Sequence, residues 1–116
     1  MRKEDIMIYA MKIKMRNGCR NSQKLAEIDS IYLYGVNEPG FYTKESIYDY
    51  LKKNPGTIKV NISPYPNVVP ALSPYNEKYV KSEPNSFGYD NLLSLPREWG
   101  GVFIWGRINI LLLTPK

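Results

Sequence analysis

The 116 residues suffice for one domain with a single modest core and not for two. Hydrophobic residues make up 43% of the chain and charged residues 23%, a balance that excludes an intrinsically disordered chain. Net charge is +5 and histidine is absent, so the usual general base and the commonest metal ligand are both missing.

The opening residues, MRKEDIMIYAMKIKM, contain no uninterrupted apolar run and no small-residue cleavage site, so no signal peptide is expected. No segment approaches the roughly 20 apolar residues of a membrane span, and a cytoplasmic location is the expectation. Met7, Tyr9, Met11, Ile13 and Met15 alternate with Ile8, Ala10, Lys12, Lys14 and Arg16. Strict period two predicts a strand with the first set buried and the cations on the opposite, exposed face. Asn17-Gly18 then signals a turn, and Cys19 to Lys24 reads as a loop.

All of the excess charge lies in this region. Lys12, Lys14, Arg16, Arg20 and Lys24 follow one another with no acid between them, and the remaining cations equal the eleven acids in number. Such a stripe attracts phosphate backbones, anionic lipid or an acidic protein; the plain alternative is a solvated strand face that aids solubility.

Ile28–Tyr34 is the predicted second strand, ended by Asn37, Glu38, Pro39 and Gly40. A helix of about ten residues follows. Thr43 caps it, Glu45 favours its N-terminal dipole, and Ile47, Tyr50 and Leu51 share one face. Lys52 and Lys53 suit its last turn, and Asn54-Pro55-Gly56 stops it. Ile58, Val60 and Ile62 alternate as a third strand. Prolines at 64, 66, 70 and 74 then predict a loop or frayed edge, with Val68–Leu72 dipping toward the core. Tyr79 to Lys81 is a short strand, and Asp90 caps a helical turn whose Leu92, Leu93 and Leu95 point inward.

The last segment is apolar on both faces. VFIW at 102–105 and INIL at 108–111 flank Gly106-Arg107, a hairpin signature. A hairpin at 102–113 either inserts into the domain or pairs with another chain, and a membrane-surface anchor would lack a cationic amphipathic helix. The expected architecture is α+β: a mostly antiparallel, twisted sheet with one short helix packed across it. Residues 1–96 form the compact domain and 97–116 an apolar extension.

Chemistry is poorly represented. No phosphate-cradling glycine loop is present, and the acids are scattered as Glu27/Asp29, Glu45/Asp49 and Glu83/Asp90. No metal site or cofactor is expected, and one cysteine forms no internal disulfide. Cys19 lies between Arg16 and Arg20, a setting that favours a reactive thiol, but no motif supplies its base or oxyanion site. The expectation is therefore a non-enzymatic binding module for a protein partner or for itself, through residues 102–113. The alternative is nucleic acid held by Lys12, Lys14, Arg16, Arg20 and Lys24, with Tyr32, Tyr34 or Tyr79 offering rings to bases. A polar ligand loop at Lys81, Ser82, Asn85 and Asn91 is a further candidate, against a purely structural closing motif.

Three motifs carry a resemblance: IKMR at the end of the first strand, Thr43-Lys44-Glu45 at the helix start, and KYVKSEPN followed by DNLLSLP. With them, residues 13–96 resemble a small bacterial family, the domain of unknown function numbered 3892. The resemblance implies a compact α+β domain of bacterial or phage origin with no established activity. The chain departs from that pattern in its longer proline-rich stretch and in continuing past Pro96.

Overall fold

The computed structural model describes residues 7–83 and 90–98. Its organising strand is β1 (Ile8–Met15). One edge of β1 takes β2 (Ile28–Tyr34) antiparallel, and β3 (Gly40–Thr43) adds antiparallel outside β2. The other edge is shared end to end. β4 (Ile58–Val60) runs parallel beside Ile8 to Ala10, and β7 (Arg97–Glu98) runs parallel beside Ile13 and Lys14. β5 (Val68–Leu72) and β6 (Lys78–Ser82) form a separate antiparallel pair. Together with α1 (Lys44–Lys53) these make a small α+β domain.

The helix is where its local signals place it. Thr43 Oγ1 accepts from the Ser46 amide at 3.2 Å, and the Asn54 amide donates to Tyr50 O at 2.9 Å as the helix ends. Ten residues are too few to stand alone in water, so packing decides its stability. Ile47 and Leu51 are buried with Ile8, Ala10, Ile13, Ile31 and Leu33, each buried Ile or Leu contributing about 1.5–3 kcal/mol. β3 and β4 run in the same direction at opposite sides of the sheet, so the chain between them must cross a face, and α1 is that crossover. It packs against β5 and β6 as well.

Three local expectations change in the fold. First, the alternation of β1 breaks: Ala10 opposes Leu33 and Lys12 opposes Tyr32, which leaves Met11 as one extra residue. A bulge of this kind reverses the parity of all that follows. The buried residues are therefore Ile8 and Ala10, then Ile13 and Met15, and Met7 and Tyr9 are not in the core. A second irregularity leaves Asp29 extra in β2. Second, Gly40–Thr43, hidden behind the turn signal of Pro39, is a strand. Third, Val68–Leu72 is a complete strand despite Pro70; it pairs with β6 alone, and an edge strand tolerates a missing donor.

The predicted third strand stops at Val60, and Ile62 packs on the core from the loop that follows. The closing turn forms as a 3-10 turn at Asn91–Ser94. Asp90 holds it with both oxygens, accepting from Leu92 N at 2.9 Å and from Ser82 N at 3.0 Å. Leu92 and Leu95 are buried beneath it. Arg97 and Glu98, read from the sequence as the start of the extension, pair with β1 in the main sheet. The hairpin expected at 102–113 lies outside the described residues, as does Asn85. Among the described residues no helix is long and apolar enough to cross a membrane.

Candidate functional site

The bulge at Met11 places Lys12 and Lys14 on the sheet face opposite α1. There they meet rings from two neighbouring strands. Lys12 opposes Tyr32 on β2, and Tyr32 in turn opposes Phe41 on β3. The two rings pack edge to face with centroids 5.4 Å apart. Lys12 Nζ lies 5.0 Å from the Tyr32 centroid and Lys14 Nζ lies 4.5 Å from that of Phe41, both within cation–π range.

Toward the start of β1 the same face carries Tyr9 opposite Tyr34, with Lys59 of β4 alongside. The Tyr9 ring packs edge-on against Tyr65 at 6.4 Å. Tyr34 is 59% exposed and Tyr65 48%, so their rings are reachable from solvent. Lys59 Nζ donates to Asn67 Oδ1 at 2.6 Å, and Lys12 Nζ pairs with the Glu98 carboxylate at 3.1 Å. Among the described residues Lys14 pairs with no carboxylate.

The basic stripe read from the sequence divides in three. Lys12 and Lys14 join the rings. Arg16 leaves them, its Nη2 donating to Ala26 O at 3.2 Å and to Glu77 Oε2 at 2.6 Å. Lys44, only 4% exposed, donates to the same two acceptors and lies 2.6 Å from Glu77 Oε2. That hydrogen bond from Lys44, reinforced by its charge and by Arg16, holds the Glu77 carboxyl below its ordinary range. Arg20 and Lys24 lie in the polar loop, beside an open hollow of about 580 Å³ bordered by Gly18 to Lys24 and Glu27. The Ser22 hydroxyl, 2.5 Å from Glu27 Oε1, is the main cause holding the Glu27 carboxyl low, followed by the Cys19 thiol and the Lys24 and Arg16 charges. The Cys19 thiol thus faces the Glu27 carboxylate, while the Arg16 guanidinium is turned to Ala26 and Glu77.

The remaining candidates are placed elsewhere. Tyr79 opposes Ala71 in the β5–β6 pair, apart from the other rings. Ser82 and Asn91 are each 3% exposed, and the Asn91 amide donates to Ser82 Oγ at 3.2 Å, so both are built into the closing turn. Lys81 is exposed. Sequence reasoning missed Phe41, because β3 went unrecognised, and assigned Tyr9 to the core through the broken alternation.

A cavity of about 320 Å³ opens between α1 and the head of β1. Its walls are almost wholly apolar, from Ile8, Leu33, Val36, Ile47 and Ile58, and Ser46 Oγ at its margin donates to Thr43 O at 2.8 Å. It brings together no acid, base and nucleophile. Among the described residues no three Cys, Asp or Glu side chains gather as a metal site. Compared with family models, with curated proteins and with solved structures, the chain matches none.

Proposed function

We propose that this chain is a non-enzymatic binding module for single-stranded nucleic acid, with the face of the main sheet opposite α1 as its working surface. The observation that supports it is the interleaving of Tyr32 and Phe41 with Lys12 and Lys14 across three adjacent strands. Unpaired bases stack on such rings for about 1–3 kcal/mol each, and the ammonium groups neutralise the backbone between them. Every base has a π-face, so this surface would read little sequence. A duplex hides its base faces and would use only the cations.

The competing reading, a module for a protein partner or for itself, rests on residues 102–113, which lie outside the described residues. It also draws on the tyrosine-rich surface, which a protein partner could use, and the nucleic-acid reading is favoured by the cations set among the rings.

The test is fluorescence anisotropy with labelled single-stranded DNA, single-stranded RNA and duplex DNA at low and moderate salt. Salt-sensitive binding of the single strands, abolished by Lys14→Glu, is expected. Absence of binding at low salt, or a complex indifferent to Lys14→Glu, overturns the proposal.

A further inference from the structure

Resting on the nucleic-acid reading above, we infer that Glu98 is a built-in competitor for the phosphate backbone and holds the binding face partly neutralised. The inference comes from how β7 is anchored. This two-residue strand joins β1 through the Ile13 amide, which donates to Pro96 O at 2.9 Å. Its two side chains point to opposite faces, as in any strand. Arg97 turns to one side and acts as a clasp. Its Nη1 donates to Arg20 O at 2.9 Å and to Ser22 O at 2.8 Å, and its Nη2 donates to Leu93 O at 3.1 Å.

Glu98 is left on the other side, opposite Lys14 in register, with its carboxylate 3.1 Å from Lys12 Nζ. The Glu98 oxygen nearest that ammonium is buried and makes no hydrogen bond among the described residues. The contact is thus an ion pair in which Glu98 supplies the negative charge a phosphate would otherwise bring to Lys12. One of the two cations between the rings is therefore already paired, and a nucleic acid must displace Glu98 to use it. Lys12 is the more exposed partner, its side chain 42% exposed against 21% for Glu98, so the ammonium rather than the carboxylate turns toward an incoming phosphate, and added salt weakens the pair. Affinity for single strands is lowered without closing the face to them.

The experiment compares wild type, Glu98→Gln and Glu45→Gln by anisotropy with a labelled single-stranded oligonucleotide across a salt series. Glu45 is an exposed acid on α1, so its replacement makes the same change in net charge away from the ring-bearing face. Glu98→Gln is expected to bind about 3- to 10-fold more tightly at low salt, with a log–log salt slope steeper by about 0.7 for one added phosphate contact. Glu45→Gln is expected to match wild type. Thermal melts of all three check that Arg97 still anchors the strand. If wild type binds and Glu98→Gln binds identically, the competitor role is overturned while the nucleic-acid reading stands. Equal gains in both variants reduce the effect to net charge and also overturn it. If none of the three binds, the nucleic-acid reading fails and takes this inference with it.

Discussion

The Lys12 ammonium stands 5.0 Å from the centroid of the Tyr32 ring, and this contact exists because Met11 is one residue too many in β1. Without the bulge, the parity of Ile8 and Ala10 would carry Lys12 and Lys14 into the core and Ile13 and Met15 out of it. The extra residue lets one strand bury aliphatic side chains along its whole length while its second half presents cations. Deleting Met11 leaves Ala10 opposite Leu33 and Lys12 opposite Tyr32 with no residue between them, so the deletion variant should keep the same faces and a cooperative thermal transition. Met11→Ala keeps the residue count and should lower the melting temperature by only a few degrees, about 1 kcal/mol. A deletion variant that no longer melts cooperatively would sink the account.

Rings and cations on the binding face have separable signatures. Tyr32→Ala and Phe41→Ala should each weaken single-strand binding about 5- to 100-fold while leaving the salt slope nearly unchanged. Lys14→Ala should instead reduce the slope by about 0.7 with a smaller loss at moderate salt. A salt titration of the three variants distinguishes the two effects, and identical slopes throughout would count against the assignment of Lys14 to phosphate.

Glu77 makes folding sensitive to acid. Its carboxyl is held below the ordinary 4.5, first by the hydrogen bond from Lys44, so its contribution is complete above that value. The contribution is lost as pH falls through the lowered folded-state value. Wild type is expected to lose melting temperature as pH falls below the ordinary 4.5, and Glu77→Gln to lose less over the same fall. At neutral pH Glu77→Gln should be destabilised by about 1–3 kcal/mol, because the buried Lys44 ammonium loses its carboxylate counter-charge and is left beside the Arg16 charge. Lys44→Met, which removes the buried charge and leaves Arg16 on Glu77, should cost less than Glu77→Gln. The reverse order in chemical denaturation would contradict this.

Gly35 has no tolerable substitute. Its φ is +100°, and a Cβ there would stand 2.4 Å from the backbone oxygen of Met7. Gly35→Ala is expected to destabilise by about 2–4 kcal/mol, combining backbone strain with displacement of the head of β1. Gly18 also has a positive φ but open space around it, so Gly18→Ala should cost about 1 kcal/mol. Equal losses in the two variants would show that conformation rather than contact controls both sites.

Elements whose signals are local were readable before the fold. Ile28–Tyr34, the helix with its Thr43 cap, and the turn closed by Asp90 each declare themselves within a few residues, through alternation, a capping hydroxyl or an Asx bond. β3 did not, because four residues between a proline and a helix cap have no signature until Ser30 to Leu33 supply their ladder. Phe41 was lost with it. The proline count argued against β5, yet pairing with β6 on one side makes it a strand.

The sequence by itself determined that the chain forms one small α+β domain, and that its excess charge is confined to residues 12–24. Only the tertiary structure decided how that charge is shared out. Arg16 is taken by Glu77, 61 residues away, whereas Lys12 and Lys14 are turned toward Tyr32 and Phe41. The physical reason is that the face a strand residue occupies depends on its partner's register. A single bulge, set by pairing between distant segments, reverses that face without leaving a local trace.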